Sequence, residues 1–461
     1  MSSPKIRTVI GAEAECLTVI EHPEIHDPTI GIDIFLKEMV KLSPSLNGID
    51  GFFNSYGRTY SDQNHIELAT AECSNPFQLI YLLQAQQTQA RETAEVMRKA
   101  GWKITLSNCN HNGVLQNDAA SWGFHGNYLV QEHPSKLTDR ILPFLVTRVY
   151  AGAGGVLWPS GEFCSGVRLN FMDTVQGGDT VVHRAIHSLA RDEPLTSQPE
   201  KYGYRYHTVL GDGLRSHFSQ LLRFGVTELV LKAVTAFPEK LEALPAPQGK
   251  DWSPPFWLQA LNRFNILRRE KDGLHAAHVA IDVQRVYLKI VDEYLDSLPT
   301  IPSWMQQVVT IWESTLDAMA RRDYEWLAQR LDPWIKHRLF TTYLSAHHRQ
   351  WSDLQKDYDL ACAIALLNQD YHDFSSSESI FNQLEETNAL RHQIGPLIQP
   401  GQEEEPFVPD LGTRATARAR FIKQHQNQQE LIVDWDKVVN SQNQVVLHLD
   451  DPCFVEKNPI R

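Results

Sequence analysis

The stretch DQNHIELATAEC, residues 62–73, sets an aspartate, a histidine and two glutamates beside Leu68, Ala69 and Ala71 instead of within a charged run. Ligand-type side chains in such surroundings point either to a solvated loop or to a strand that forms one wall of a metal-bearing catalytic site. Side chains two apart in a strand share a face, so His65 and Glu67 project together. The spacing recurs in VIGAEAEC, residues 9–16, where it pairs Glu13 with Glu15. Val9, Ile10, Leu17 and Val19 flank that pair, and a core strand bearing two glutamates on one face needs something cationic to neutralise them. Two such strands facing each other would make an oxygen-rich cage of the kind Mg²⁺ prefers. A solvent-facing edge is the alternative for Glu-x-Glu alone.

Working outward, residues 6–20 are rich in Val, Ile and Thr and predict a strand. Helical spacing follows over 32–41 and 76–100, the second with Leu79, Leu82 and Leu83 on one face and Gly101 as its stop. Strand-like pieces return at 103–107, around 128–130, at 166–171 and at 206–210, before aromatic-rich helical patterns at 220–237 and 279–344. Strands first and helices later predict an α+β fold. Three prolines and an acidic run mark 398–410 as a linker, dividing a large domain, 1–397, from a small C-terminal one, 411–461.

The composition, 42% hydrophobic and 21% charged, is that of a folded globular protein. A formal charge of −13 argues against a nucleic-acid partner, and an acidic partner would have to find a local basic groove. No apolar run reaches the length of a membrane span, and the N-terminus has no signal-peptide pattern, so a cytoplasmic location is expected. The six cysteines show no C-x-x-C spacing and read as reduced structural thiols.

Further candidates lie on shorter motifs. Arg191 in RDEP and Arg205 in EKYGYRYHTVLGD, residues 200–212, are the residue type that clamps a transferring phosphoryl group, with surface ion pairing as the alternative. His125 sits between glycines in WGFHGNYL, residues 122–129. Trp435 either stacks on an adenine or anchors the small domain. Arg414, Arg418, Arg420 and Lys423 follow the acidic linker, and a helix there brings Arg414 and Arg418 to one face as a groove for an acidic tag, or as a solvated stripe. The chain has no P-loop, no H-E-x-x-H and no G-x-S-x-G, so an ATP site here would be carboxylate-based.

Taken in order, IGAEAE, YSDQNHIELATAEC, FHGNYL, LPFLVTR, RDEP, EKYGYRYHTVLGD, DVQRVY, LDPWIKHRL, DYHDF, TRATARARF and WDKVV run from residue 10 to residue 439. This set resembles the Pup ligase and depupylase family of glutamine-synthetase-like carboxylate-amine ligases. The resemblance implies a large domain whose curved antiparallel sheet, packed with helices, holds Mg²⁺ and ATP, plus the small C-terminal domain. It also implies Asp62 as the catalytic aspartate, Glu13, Glu15, Glu67 and His125 as metal and phosphate ligands, and Arg191, Arg205 and His207 on the nucleotide. The implied reaction is activation of a glutamate side-chain carboxylate on a small acidic Pup-like modifier and transfer to a lysine amine of a target protein. The short segment between Glu15 and Asp62 fits the ligase branch, since the depupylase branch carries a long insert there; an isopeptide hydrolase or deamidase and a silent binding relative are the alternatives. Departures from the family pattern are Ile66 and Leu68 around Glu67, Gly126 in place of glutamate, Leu195 in place of histidine, and one extra residue at YGYR.

Overall fold

The computed structural model describes residues 7–112, 120–178, 183–189, 195–243, 254–395 and 410–454. Alternation of apolar and polar residues in the first strand, β1 (Ile10–Glu21), buries Ile10, Ala12, Ala14 and Cys16 and turns Glu13 and Glu15 to the opposite face. Four strands follow closely: β2 (Leu46–Gly48), β3 (Phe52–Asn54), β4 (Gly57–Asp62) and β5 (His65–Thr70). The β4–β5 connection is a two-residue turn in which Gln63 and Asn64 both take positive φ, 46° and 66°, the conformation that matches the twist of a tight hairpin. Asp62 therefore stands at the tip of the hairpin, paired with His65.

Later strands complete the sheet: β6 (Lys103–Ser107), β7 (Phe124–Val130), then, beyond a separate hairpin of β8 (Gly155–Leu157) and β9 (Glu162–Cys164), β10 (Thr174–Gly177), β11 (Ala185–Ser188) and β12 (Tyr204–Thr208). A second small hairpin, β13 (Arg268–Glu270) and β14 (Gly273–His275), precedes the C-terminal strands β15 (Ile432–Val433), β16 (Lys437–Val439) and β17 (Val445–His448). The 13-stranded sheet runs β10-β11-β12-β7-β1-β5-β4-β3-β2-β15-β16-β17, with β6 on the second half of β1. Among the described residues every pairing is antiparallel except β10 with β11 and β15 with β2, so the expected antiparallel sheet is in fact mixed. The architecture is α+β.

One face of the sheet carries the main core. The helix Pro76–Lys99 starts at Asn75, whose side chain accepts a hydrogen bond from Gln78 N, with Pro76 in its first turn. Such a cap contributes about 1 kcal/mol, and Gly101, at φ +92°, marks the exit. Leu79, Leu82 and Leu83 are buried as expected, in one continuous core with Phe224 and Val230 of the helix His217–Ala236 and Trp312 of Ser303–Ala320. The helical stretch expected over 279–344 is four helices, His278–Asp296, Ser303–Ala320, Tyr324–Leu327 and Asp332–Ala346. Residues 166–171, expected as a strand, contain a 3-10 turn at Arg168–Phe171, because Asp212 accepts the Arg168 amide and pulls the backbone out of any ladder.

The C-terminal segment has its own small core of Leu46, Phe53, Ile422, Leu431, Val433 and Val438, and its strands extend the large sheet through β15 alongside β2. Most of the stretch expected as a linker, 396–409, lies outside the described residues. No helix among the described residues is long and apolar enough to cross a membrane.

Candidate active site

The face of the sheet opposite the main core gathers the acidic residues. Register puts Glu15 of β1 opposite Glu67 of β5, and Glu67 opposite Tyr60 of β4. On the other side of β1, Glu13 stands opposite His125 of β7, and β7 in turn sets Asn127 opposite His207 of β12. Period-two geometry thus converts four separate motifs into one surface.

Two groups of ligand atoms emerge. Glu15, Asp62 and Glu67 bring oxygens within 4.8 Å of one another, as do the ligand atoms of Glu13, His125 and His207. Glu67 is buried, Glu15 partly exposed and Asp62 exposed. Burial, then the neighbouring charges of Glu13, Glu15 and Asp62, hold the Glu67 carboxyl well above its usual range. No cation among the described residues pairs with it, and its hydrogen-bond partner is the Tyr60 hydroxyl. A buried carboxylate facing three others is a costly arrangement without a counter-ion. The all-oxygen donor set suits a hard divalent cation such as Mg²⁺, so the residues present fit the metal that the sequence implied.

Glu13 is the opposite case. Burial opposes its ionisation, but Arg205, His125 and His207 outweigh it and hold the carboxyl well below its usual range. Arg205 Nη2 donates to Glu13 Oε1 at 2.7 Å and Asn127 Nδ2 to the same oxygen at 3.1 Å. Arg205 Nε also donates to Asn127 Oδ1 at 2.6 Å, while His125 Nδ1 lies 3.4 Å from Glu13 Oε2. Glu13 therefore organises the cationic side of the site, and Glu67 the anionic side.

Two glycines decide which side chains reach this face. A Cβ at Gly123 would fall 1.8 Å from His125 Nε2, so the imidazole occupies the space that glycine leaves. Gly123 also receives Glu15, its amide donating to Glu15 Oε2 at 2.8 Å. A Cβ at Gly126 would point instead at Thr208 Oγ1 and Tyr128 Oη, each 2.8 Å away, on the core side of the sheet. The departure at position 126 thus removes no ligand from the acidic face.

Beside Glu13 lies a small cavity of about 40 Å³ whose lining includes Glu13, Glu72, Asn127, Leu195, Arg205 and Trp435. Leu195 is buried with Val9 and Leu129, which explains why an apolar residue is tolerated there. Trp435 meets Phe53 edge-on at 5.0 Å, and so it borders both the cavity and the small core.

The arginine stripe is redirected. Arg414 and Arg418 do share a face of the helix Arg414–His425, but both are fully buried and both close on Glu72. Burial opposes ionisation of Glu72, yet the two guanidinium groups hold its carboxyl down to about 2. These arginines face an internal carboxylate, where a docked partner does not reach; Arg420 is half-buried. Arg191 lies outside the described residues.

Three contributors escaped the sequence reading. Tyr60 and Asn127 sit two residues from Asp62 and His125, so strand parity alone could have found them. Arg168, fully buried, donates to Ser121 Oγ at 3.3 Å and adds positive charge near Glu15. Burial lowers its pKa to about 10, with Glu15 acting in the other direction. Nothing in a stretch read as a strand pointed to it.

A model of the Pup-ligase protein family matches residues 9–439. The chain belongs to the Pup-ligase family. Two relatives in that family are the Pup–protein ligases of Sanguibacter keddieii, 29% identical over 423 residues (87% of this chain, 86% of that protein), and of Mycolicibacterium smegmatis, 29% identical over 427 residues with the same coverage. Among solved structures, the complex of Pup with its ligase PafA has a TM-score of 0.72 at 23% identity, covering 98% of this chain and 89% of that one. PafA in complex with ADP has a TM-score of 0.66 at 22% identity, covering 93% and 91%. These structural likenesses establish that this member of the Pup-ligase family shares its relatives' fold.

Proposed function

We propose that this chain is an ATP-dependent Pup–protein ligase, joining the side-chain carboxylate of a C-terminal glutamate on Pup, or a small acidic modifier of that kind, to a lysine amine of a target protein in the cytoplasm. The observation that carries the proposal is the convergence of Glu15, Asp62 and Glu67 on one face, in a chain matched by the Pup-ligase family over residues 9–439. In this reading Glu13, Glu15, Glu67 and His125 hold magnesium, which when bound neutralises charge on the transferring phosphoryl group. Arg205 and His207, on the cationic side of Glu13, orient the phosphates, together with Arg191. Trp435 closes the cavity against the base, which makes residues 411–461 a module that completes the nucleotide site.

The γ-phosphoryl group passes to the glutamate carboxylate: an oxygen–phosphorus bond forms as the bond to the β-phosphate oxygen breaks, and ADP departs. The lysine nitrogen then attacks the activated carboxyl carbon, phosphate leaves with the bonding electrons, and Asp62 takes the proton that the nitrogen gives up. Exposure of Asp62 at a hairpin tip supports this role, because an incoming lysine must reach it from outside. Of the arginine stripe, only Arg420 remains a proposed contact for the modifier.

The test is ADP release from Mg-ATP by the purified protein, alone and with Pup. Pup-dependent ADP formation with conjugates on lysine is expected. Nucleotide binding without turnover, combined with cleavage of a preformed isopeptide, would replace the ligase with a hydrolase.

A further inference from the structure

Arg418 occupies a position that neither its charge nor its burial alone explains. Its guanidinium lies beside the Phe53–Trp435 pair, 5.5 Å from the centroid of Phe53 and 5.2 Å from that of Trp435. Its Nη1 donates to the backbone carbonyl of Trp435 at 2.8 Å and to Glu72 Oε1 at 3.2 Å, and its Nη2 bonds Glu72 Oε2. One planar group thus touches the ring and the backbone of the residue that closes the cavity, while being fixed to the sheet side.

The anchor itself is shared. Arg414 Nε donates to Glu72 Oε1 at 2.6 Å, and Arg414 Nη1 holds the carbonyl of Leu449 at 2.9 Å. Thr413 Oγ1 donates to the Glu72 carbonyl at 2.7 Å. Arg414 and Thr413 therefore attach the C-terminal segment to β5's exit, and Arg418 has a separate task at Trp435.

We propose that Arg418 is a positioning residue for nucleotide binding: it sets Trp435 as the outer wall of the cavity above Glu13 and Arg205, and so governs affinity for the nucleoside portion of the ligand rather than the chemistry. The proposal rests on the reading of that cavity as the nucleotide site. A lysine at 418 keeps the positive charge for Glu72 but loses the flat fork that meets the Trp435 ring and carbonyl together. The wall should then lose its orientation while the segment stays attached through Arg414.

The experiment compares wild type, Arg418→Lys, Trp435→Ala and the double variant by calorimetric titration with Mg-ADP and with magnesium tripolyphosphate, which carries the phosphate charge without the nucleoside. Arg418→Lys and Trp435→Ala are each expected to weaken ADP binding by about 5- to 10-fold, the scale of one aromatic stacking contact. Tripolyphosphate binding is expected to stay within about 2-fold, and the double variant to match Trp435→Ala, because the two residues act through one wall. In turnover assays the KM for ATP rises with kcat little changed. Additive losses in the double variant, equal weakening of ADP and tripolyphosphate, or unchanged ADP binding by Arg418→Lys would overturn the positioning role alone. A wild-type protein that binds neither ligand would remove the nucleotide reading and this proposal with it.

Discussion

Glu67 and Glu72 are five positions apart, both buried, and in opposite states. Glu72 has two arginines on its oxygens and is held down to about 2. Glu67 faces Glu13, Glu15 and Asp62, has a tyrosine hydroxyl as its neighbour and is pushed well above its usual range. The difference separates a carboxylate that the fold has neutralised internally from one whose charge is left for something arriving from outside. The first is a structural fastening. The second is the arrangement that the proposed cation site calls for.

The largest effect expected from this contrast is at Asp62, the exposed member of the unneutralised group. Asp62→Asn keeps the hairpin and its shape but cannot accept a proton, so the rate of conjugate formation should fall by roughly 10²–10⁴-fold, the usual contribution of a general base. Thermal stability and nucleotide binding should be unchanged. Conjugation by the variant at more than about a tenth of the wild-type rate would remove Asp62 from the proton-transfer step.

At Glu72 the effect should fall on stability. Glu72→Gln leaves Arg414 and Arg418 buried without their carboxylate, which typically costs about 3–5 kcal/mol, and denaturant titration should show a loss on that scale. The pH dependence has a definite sign. The folded pKa, about 2, lies below the model-compound value of 4.5, so the unfolded chain binds more protons between those values and stability rises with pH across that window. On the order of 3 kcal/mol is therefore present above pH 4.5 and lost as pH falls towards 2. The variant should lack this acid-sensitive portion. An unaltered acid limb would mean that Glu72 is not held by the arginines.

The legible part of the site was the part written in period two. Glu13 with Glu15, and His65 with Glu67, can be read from the chain because strands fix side-chain parity locally, whereas Asp62 came from the family resemblance; the structure brings Glu15, Asp62 and Glu67 together. The arginines at 414 and 418 were also correctly assigned to one helix face, but a helix face carries no mark of what covers it. What covers this one is Glu72, just past the end of β5 and more than 300 residues earlier. Gly126 shows the same limit in a milder form. Its neighbours at 125 and 127 face the acids, so parity already turns position 126 away from them, yet only the contact with Thr208 and Tyr128 shows what occupies the other side. Arg168 had no local signal, because its turn depends on Asp212, which arrives from elsewhere in the chain.

The smallest expected effect sharpens the comparison most, because it has the opposite sign from that at Glu72. Glu67→Gln removes a charge that its surroundings disfavour, through burial and through three neighbouring carboxylates, while retaining size and a hydrogen-bonding partner for Tyr60. In metal-free protein the variant should be as stable as wild type or more so, by up to about 1 kcal/mol, the scale of relieved like-charge contact. Magnesium should raise the melting temperature of wild type, since a ligand bound only by the folded state stabilises it in proportion to the logarithm of its concentration over Kd. With an oxygen donor weakened, Glu67→Gln should show a smaller magnesium-dependent rise at the same concentration. A metal-free Glu67→Gln protein destabilised as much as Glu72→Gln would mean that Glu67 also serves as a structural fastening, and the distinction between the two glutamates would fail.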